Sequence, residues 1–339
     1  MLADRSATEL EAAYFKDLAL KNVHLGLKAM ERLDRHTSFK VGGPAALFGW
    51  PKDLEELRRQ YLFAREHSLN VFFLGGGTNV LFSDEGYLGL VLKLEKGAFK
   101  ESVFLTKEGD GIPEDAGFFA TLKEGDELVL RSGAGAGLSE LARLAASKSL
   151  SGMEDLAGIP GRLGGAVNMN AGAGERQVGD LVAEAEIMDE EGEVKSFGRN
   201  DLAFGYRAFK SPVKEPLITS ARLRLVKAAS EGEVVERMTR RLSVRKISLP
   251  VEPSAGSFFK NPPQKRAGEL IEEAGFKGRK EGGAMVSMLH ANILINLGKA
   301  TFKDVSALAR NIEEEVERRF GIKLEREARM VDFAGGVNV

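Results

Sequence analysis

Three side chains stand in surroundings that could give them chemistry. Ser257 lies in SAGSFFKNP, and an extended run there would set Ser257 and Phe259 on one face. A buried hydroxyl beside aromatic rings could donate a proton to a developing carbanion. A serine in that place could equally satisfy the local backbone. Glu327 lies in LEREARMV, where Glu325, Glu327 and Arg329 would point the same way if extended. Its carboxylate could orient a substrate or join a proton transfer, or it could edge a surface strand with ion pairs. Arg207 lies in FGYRAF, and Phe204, Tyr206 and Phe209 imply partial burial. A buried guanidinium needs an acid partner, and its fork suits a carboxylate, either of the chain or of a substrate. Lys260 and Asn261 follow closely on Ser257. They could contact a diphosphate or simply end the strand.

Two glycine-rich stretches could hold a ligand by its backbone. GGGTNV, residues 75–80, follows the apolar run VFFL. Such a turn presents successive N–H groups, and glycine lets a phosphate come close. Thr78 and Asn79 add side-chain donors. A plain hairpin turn would read the same way. The stretch lacks the G-K-[ST] of a P-loop and is not G-x-G-x-x-G opening a helix. The second stretch, GIPGRLGGAVNMNAGAG, has six glycines in residues 158–174. Flexible linkers are polar, but this one carries Ile159, Leu163, Val167 and Met169. Glycine beside residues that want burial points to backbone packed against something flat or phosphorylated.

The elements that must position these residues follow from periodicity. Residues 1–30 read as a helical, acidic arm. Pro51 opens a helix whose buried face is Leu54, Leu57, Tyr61 and Ala64. VFFL is a strand, and another runs near Leu88–Leu94. The charged, glycine-punctuated stretch 95–125 reads as a surface insertion. Leu138, Leu141 and Leu144 line a short helix. Ala267, Leu270, Ile271 and Ala274 line another, stopped by Gly275. Thr301 and Asp304 form a capping box for a helix carrying Val305, Leu308, Ile312, Val316 and Phe320, stopped by Gly321. Strands and helices alternate irregularly, so the fold class is α+β. Three units are expected: 1–90, 91–228 and 229–339.

Composition excludes several functions. The net charge of -2 gives no footprint for nucleic acid. With no cysteine there is no disulfide, thiolate nucleophile or thiolate zinc site. The four histidines are scattered, so no metal site is expected. No apolar run reaches the ~18 residues of a membrane span, and the acidic start lacks the apolar core of a secretory signal. The chain is expected in the cytoplasm, without membrane insertion.

Taken together and in order, HTSFKVGGPA, FLGGGTNVLFSD, GIPGRLGGAVNMNAGAG, FGYRAF, PSAGSFFKNPP, AGELIEEAG, HANILIN and FGIKLEREARMV resemble the UDP-N-acetylenolpyruvoylglucosamine reductase family over about residues 20–333. The resemblance implies a two-part FAD-binding region of the vanillyl-alcohol-oxidase-like type and a C-terminal α+β domain that binds substrate. It implies NADPH-dependent, FAD-mediated reduction of UDP-N-acetylglucosamine enolpyruvate to UDP-N-acetylmuramate, so a UDP-amino sugar is the partner and FAD and NADPH are the cofactors. FAD contacts map onto Gly75, Gly76, Gly77, Thr78, Asn79, Val80 and Leu81, and onto Ile159, Pro160, Gly161, Gly164, Gly165, Asn170, Ala171 and Gly172. Ser257 maps as proton donor, Arg207 and Glu327 onto the substrate carboxylate, and Tyr206, Lys260 and Asn261 onto the rest of the substrate. Departures are Thr78 where serine is common and Gly174 where an aromatic often stands. The chain also lacks the tyrosine-bearing insertion of one subclass. Competing readings are an oxidase on the same scaffold and a nucleotide-binding module without turnover.

Overall fold

The computed structural model describes residues 2–106, 109–113, 117–174 and 176–338. The first helix, Leu2–Lys21, is followed by the strand Lys28–Arg32, so the helical arm is shorter than expected. Phe15 and Leu18 pack with Leu47 and Leu90 of the first sheet. That sheet runs in the order Lys28–Arg32, Pro44–Gly49, Tyr87–Lys93, Asn70–Leu74. Its last three strands are parallel. Helix Leu54–Glu66 covers it with Leu57, Tyr61 and Ala64, whereas Leu54, expected on the same face, lies exposed in the first turn. The helix starts three residues after Pro51, because the Asp53 side chain caps it by accepting from Glu56 N. The strand Tyr87–Lys93 runs through residues 90 and 91.

The second sheet is antiparallel, in the order Val194–Gly198, Val182–Met188, Leu217–Lys227, Glu127–Gly133, Ser102–Leu105, Gly111–Ile112. The last two strands come from the stretch expected to be a surface insertion. Phe104, Ile112 and Phe119 sink into this core beside Leu130, Leu138 and Leu223. Burial of those apolar residues corrects the expectation. Residues 107–108 and 114–116 of that stretch lie outside the described residues. Helices Leu138–Ser147 and Leu163–Asn168 bury Leu141, Leu163 and Val167 against the sheet.

The third sheet is also antiparallel: Ser254–Ser257, Ile293–Asn296, Ala284–Val286, Lys280–Glu281. Helices Ala267–Glu273 and Phe302–Phe320 close its core. The longer helix has the expected Thr301/Asp304 capping box and ends at Gly321, whose φ of 66° suits the left-handed stop. Asp84, from the first unit, accepts from Phe302 N at 2.8 Å at the same helix end.

The core of the third sheet also takes residues from the start of the chain. Phe39, Val41 and Leu81 pack among Phe258, Leu270, Leu294 and Ile312. A side chain of that size removed from water contributes about 1.5–3 kcal/mol. The strand Val80–Phe82 leaves the glycine turn and pairs in parallel with Arg329–Val331. The strand after the glycine turn and the segment that follows Glu327 thus meet directly behind the turn. No helix among the described residues is long and apolar enough to cross a membrane.

Candidate active site

One cleft of about 830 Å³ takes residues from all three sheets. Its size lies in the ~300–1,000 Å³ range of small-molecule sites. One wall is the glycine turn and the second glycine stretch. Gly76 and Gly161 abut so closely that a Cβ on Gly76 would lie 2.9 Å from Gly161 Cα. At Gly165 a Cβ would meet open space, so this backbone faces the cleft bare. Gly77 has φ 65°, and a Cβ on it would collide with the carbonyl of His36. Gly77→Ala should therefore cost at least about 2 kcal/mol of stability. Urea unfolding of the two proteins checks this, and equal midpoints would remove the steric reading.

The backbone N–H groups of Gly76, Gly77 and Thr78 bond to no backbone carbonyl among the described residues. They are donors available to a ligand. Two arginines that nothing in the sequence ties to a ligand line the same cleft: Arg245 and Arg329. Neither has an ion-pair partner among the described residues. Arg245 Nε is buried without a hydrogen bond. The Arg329 guanidinium lies 5.0 Å from the Phe72 ring. Burial lowers the pKa of both, yet an arginine keeps its charge. Bare glycine backbone, free N–H groups and two uncompensated cations fit a ligand that is flat in one part and carries a diphosphate in another.

The three reactive candidates converge on this cleft. Ser257 ends an edge strand, and its hydroxyl makes no hydrogen bond among the described residues, so it does not serve the local backbone. Phe258 and Phe259 are both buried in the third core, where alternation no longer holds because the regular strand stops at Ser257. The expected shared face of Ser257 and Phe259 is therefore absent.

Arg207 sits at the tip of the hairpin formed by Ala203–Gly205 and Ala208–Lys210. Its φ is 53°, a conformation that costs a non-glycine residue about 1–2 kcal/mol. Several contacts hold the tip. Arg207 Nε donates to Glu327 Oε1 at 2.7 Å. Its guanidinium lies 5.3 Å from the Tyr206 ring. Asn170 Nδ2 donates to Gly205 O at 2.8 Å. The Arg207 Nη groups make no hydrogen bond among the described residues, so half of the fork remains for a second carboxylate.

Glu327 is held through its backbone, with N donating to Phe258 O and O accepting from Asn79 Nδ2 at 2.9 Å. Burial raises its pKa, and Arg207 and Lys260 pull against that. Glu325 does not share its direction: it stands outside and pairs with Lys260 at 3.3 Å. The segment becomes a regular strand only at Arg329.

The remaining candidates divide. Gly75 to Val80 line the cleft, as do Ile159, Pro160, Gly161, Gly164, Gly165, Ala171 and Gly172. Leu81 turns away into the third core. Asn170 is spent on structure, bonding Gln177, Gly179 and Gly205. Tyr206, Lys260 and Asn261 are absent from the cleft lining. The Tyr206 hydroxyl accepts from Asn261 N at 3.2 Å, and Asn261 Oδ1 accepts from Ala267 N at the start of a helix. At Gly174 a Cβ would lie 3.0 Å from Arg241 Nη2, so an arginine fills the space beside it. Among the described residues no group of acidic or histidine side chains could hold a metal.

Residues 45–198 match the FAD binding domain family, and residues 248–331 match the C-terminal domain of UDP-N-acetylenolpyruvoylglucosamine reductase. The UDP-N-acetylenolpyruvoylglucosamine reductase of Lachnoclostridium phytofermentans is 39% identical over 302 residues, 89% of this chain and 91% of that one. That of Agathobacter rectalis is 35% identical over 95% of this chain and 99% of its own. The crystal structure of UDP-N-acetylenolpyruvylglucosamine reductase from Thermus caldophilus superposes with a TM-score of 0.71 at 33% identity, covering 90% of this chain and 97% of that one.

Proposed function

Because this chain belongs to the UDP-N-acetylenolpyruvoylglucosamine reductase family, we propose that its central cleft is the active site and that Ser257, Arg207 and Glu327 act there. The protein is an FAD-dependent oxidoreductase that uses NADPH to reduce UDP-N-acetylglucosamine enolpyruvate to UDP-N-acetylmuramate, a step of peptidoglycan precursor synthesis. The observation that carries the residue assignment is the convergence of those three side chains on a cleft walled by both glycine stretches.

When bound, FAD supplies hydride transfer between NADPH and the enolpyruvyl double bond. The turn Gly75–Val80 and the stretch Ile159–Gly172 would hold it, with the N–H groups of Gly76 to Thr78 and the cations Arg245 and Arg329 offered to its diphosphate. Arg207 would take the substrate carboxylate on its free Nη groups, where charge builds as the double bond is reduced. Glu327, bonded to Arg207 Nε, would fix the plane of the guanidinium. The Ser257 hydroxyl, unspent on the protein, would deliver its proton to the carbon beside the carboxylate. Tyr206, Lys260 and Asn261 stand by the hairpin tip and would meet the remainder of the nucleotide sugar. The units 1–90, 91–228 and 229–339 and a cytoplasmic location belong to the same proposal. The location rests on substrates found inside the cell, a nucleotide sugar and NADPH.

The test follows flavin absorbance without oxygen. NADPH should bleach the FAD-loaded protein, and the enolpyruvyl sugar should then restore the colour. Bleaching without recovery would reject this substrate for the cleft.

A further inference from the structure

The segment His36–Val41 is absent from the cleft lining, yet it lies between the two structures that the proposed chemistry needs. Ser38 N donates to Gly77 O at 2.9 Å. The Ser38 hydroxyl donates to Ser254 O at 2.6 Å and lies 3.3 Å from Gly77 O. Ser38 thus joins the glycine turn to the strand that ends in Ser257. Its neighbours leave it little freedom. Phe39 is fully buried in the third core, and its carbonyl accepts from Asn296 Nδ2 at 2.9 Å. On the other side, the glycine turn packs on the carbonyl of His36 with no room for a Cβ at Gly77.

The strand needs that joint. Ser254–Ser257 is at the edge of its sheet, with a partner on one side only. Its pairing to Ile293–Asn296 holds at Ser254 and Ser257, but the register shifts between them, and Gly256 adopts φ 73°. A regular ladder would fix the strand along its length; here bonds from Asn296 N to Pro253 O and from Phe258 N to Asn292 O hold its two ends, and the shifted stretch between them is open to a contact from outside the sheet. The Ser38 hydroxyl supplies one, three residues before Ser257.

We propose that Ser38 is a positioning residue for proton delivery: it sets the Ser257 hydroxyl relative to whatever the glycine turn holds. This rests on the assignment of Ser257 as the proton donor. Ser38 itself touches no reacting atom. Its removal changes a distance within the substrate half of the reaction and leaves the turn's own donors in place. A displacement of ~1 Å at a reacting group costs up to ~10²-fold.

Ser38→Ala, Ser38→Thr and Ser257→Ala should be compared in the FAD-loaded protein by stopped flow, with FAD affinity measured separately by fluorescence. For Ser38→Ala, reoxidation of the reduced enzyme by the enolpyruvyl sugar should slow at least ~10-fold, with a larger solvent isotope effect. Flavin reduction by NADPH and FAD affinity should stay within roughly twofold. Ser38→Thr, which keeps the hydroxyl, should recover most of the loss. Equal slowing of both half-reactions, or weakened FAD binding, would make Ser38 a support of the cofactor site and overturn the proposal. So would unchanged reoxidation while Ser257→Ala is slow. If Ser257→Ala itself reoxidises normally, the proton-donor assignment fails first and this inference falls with it.

Discussion

Ser257→Ala should leave reduction of FAD by NADPH intact and slow reoxidation by the enolpyruvyl sugar by ~10²–10⁴-fold, the usual range for loss of a general acid. The asymmetry comes from where the hydroxyl lies. It faces the cleft and bonds to nothing else among the described residues. The first half-reaction has no use for its proton. The second creates a strongly basic carbon that a serine can protonate only when held against it. The same lack of protein partners predicts a stability change within roughly 0.5 kcal/mol, because no internal bond is lost. Rapid-mixing traces of both halves, with a urea melt alongside, check this. Normal reoxidation would strip Ser257 of its role.

The glycine stretches and the capped helix Phe302–Phe320 could be read from sequence because local chemistry decides them: a backbone conformation only glycine adopts easily, a Thr/Asp box, a periodic apolar face. What stayed hidden depended on distant partners. Val80, Leu81 and Phe82 are all buried, since the strand is covered on both faces. No alternation then separates a cleft-facing residue from a core one. Asn170 looks like a ligand residue in a glycine-rich stretch, but its amide is used up bracing the Arg207 hairpin. Phe39 and Leu81 fill a core whose other walls come from Ala255 onward, far away in the sequence. Arg245 and Arg329 are two among 48 basic residues. Only the fold reveals that they lack acid partners where others have them. Glu325 and Glu327 share a parity that implies one face, and the inference failed because the segment is not a strand there.

Arg207→Ala should damage both activity and stability, and the two losses should separate with pH. Taking the guanidinium from the substrate carboxylate should slow the substrate half-reaction by ~10²–10³-fold, the scale for losing one donor that meets charge in the transition state. Arg207→Gly should be no faster. It should, however, regain about 1 kcal/mol over the alanine variant, since glycine relaxes the φ of 53° that alanine cannot. Both variants leave Glu327 buried without its cation, a loss of about 1–3 kcal/mol. Burial already raises the Glu327 pKa, and Arg207 opposes that rise. A carboxyl raised above its unfolded value of about 4.3 adds stability below that pH and loses it as pH climbs through the folded value. Without Arg207 the folded value climbs further. The deficit against the wild type should then be smaller at about pH 4 than at about pH 8, because the charged form that Arg207 stabilises gains weight as pH climbs. Denaturant melts at the two pH values check the sign. Equal deficits would mean that Arg207 acts on the fold through the hairpin alone and not through the charge of Glu327.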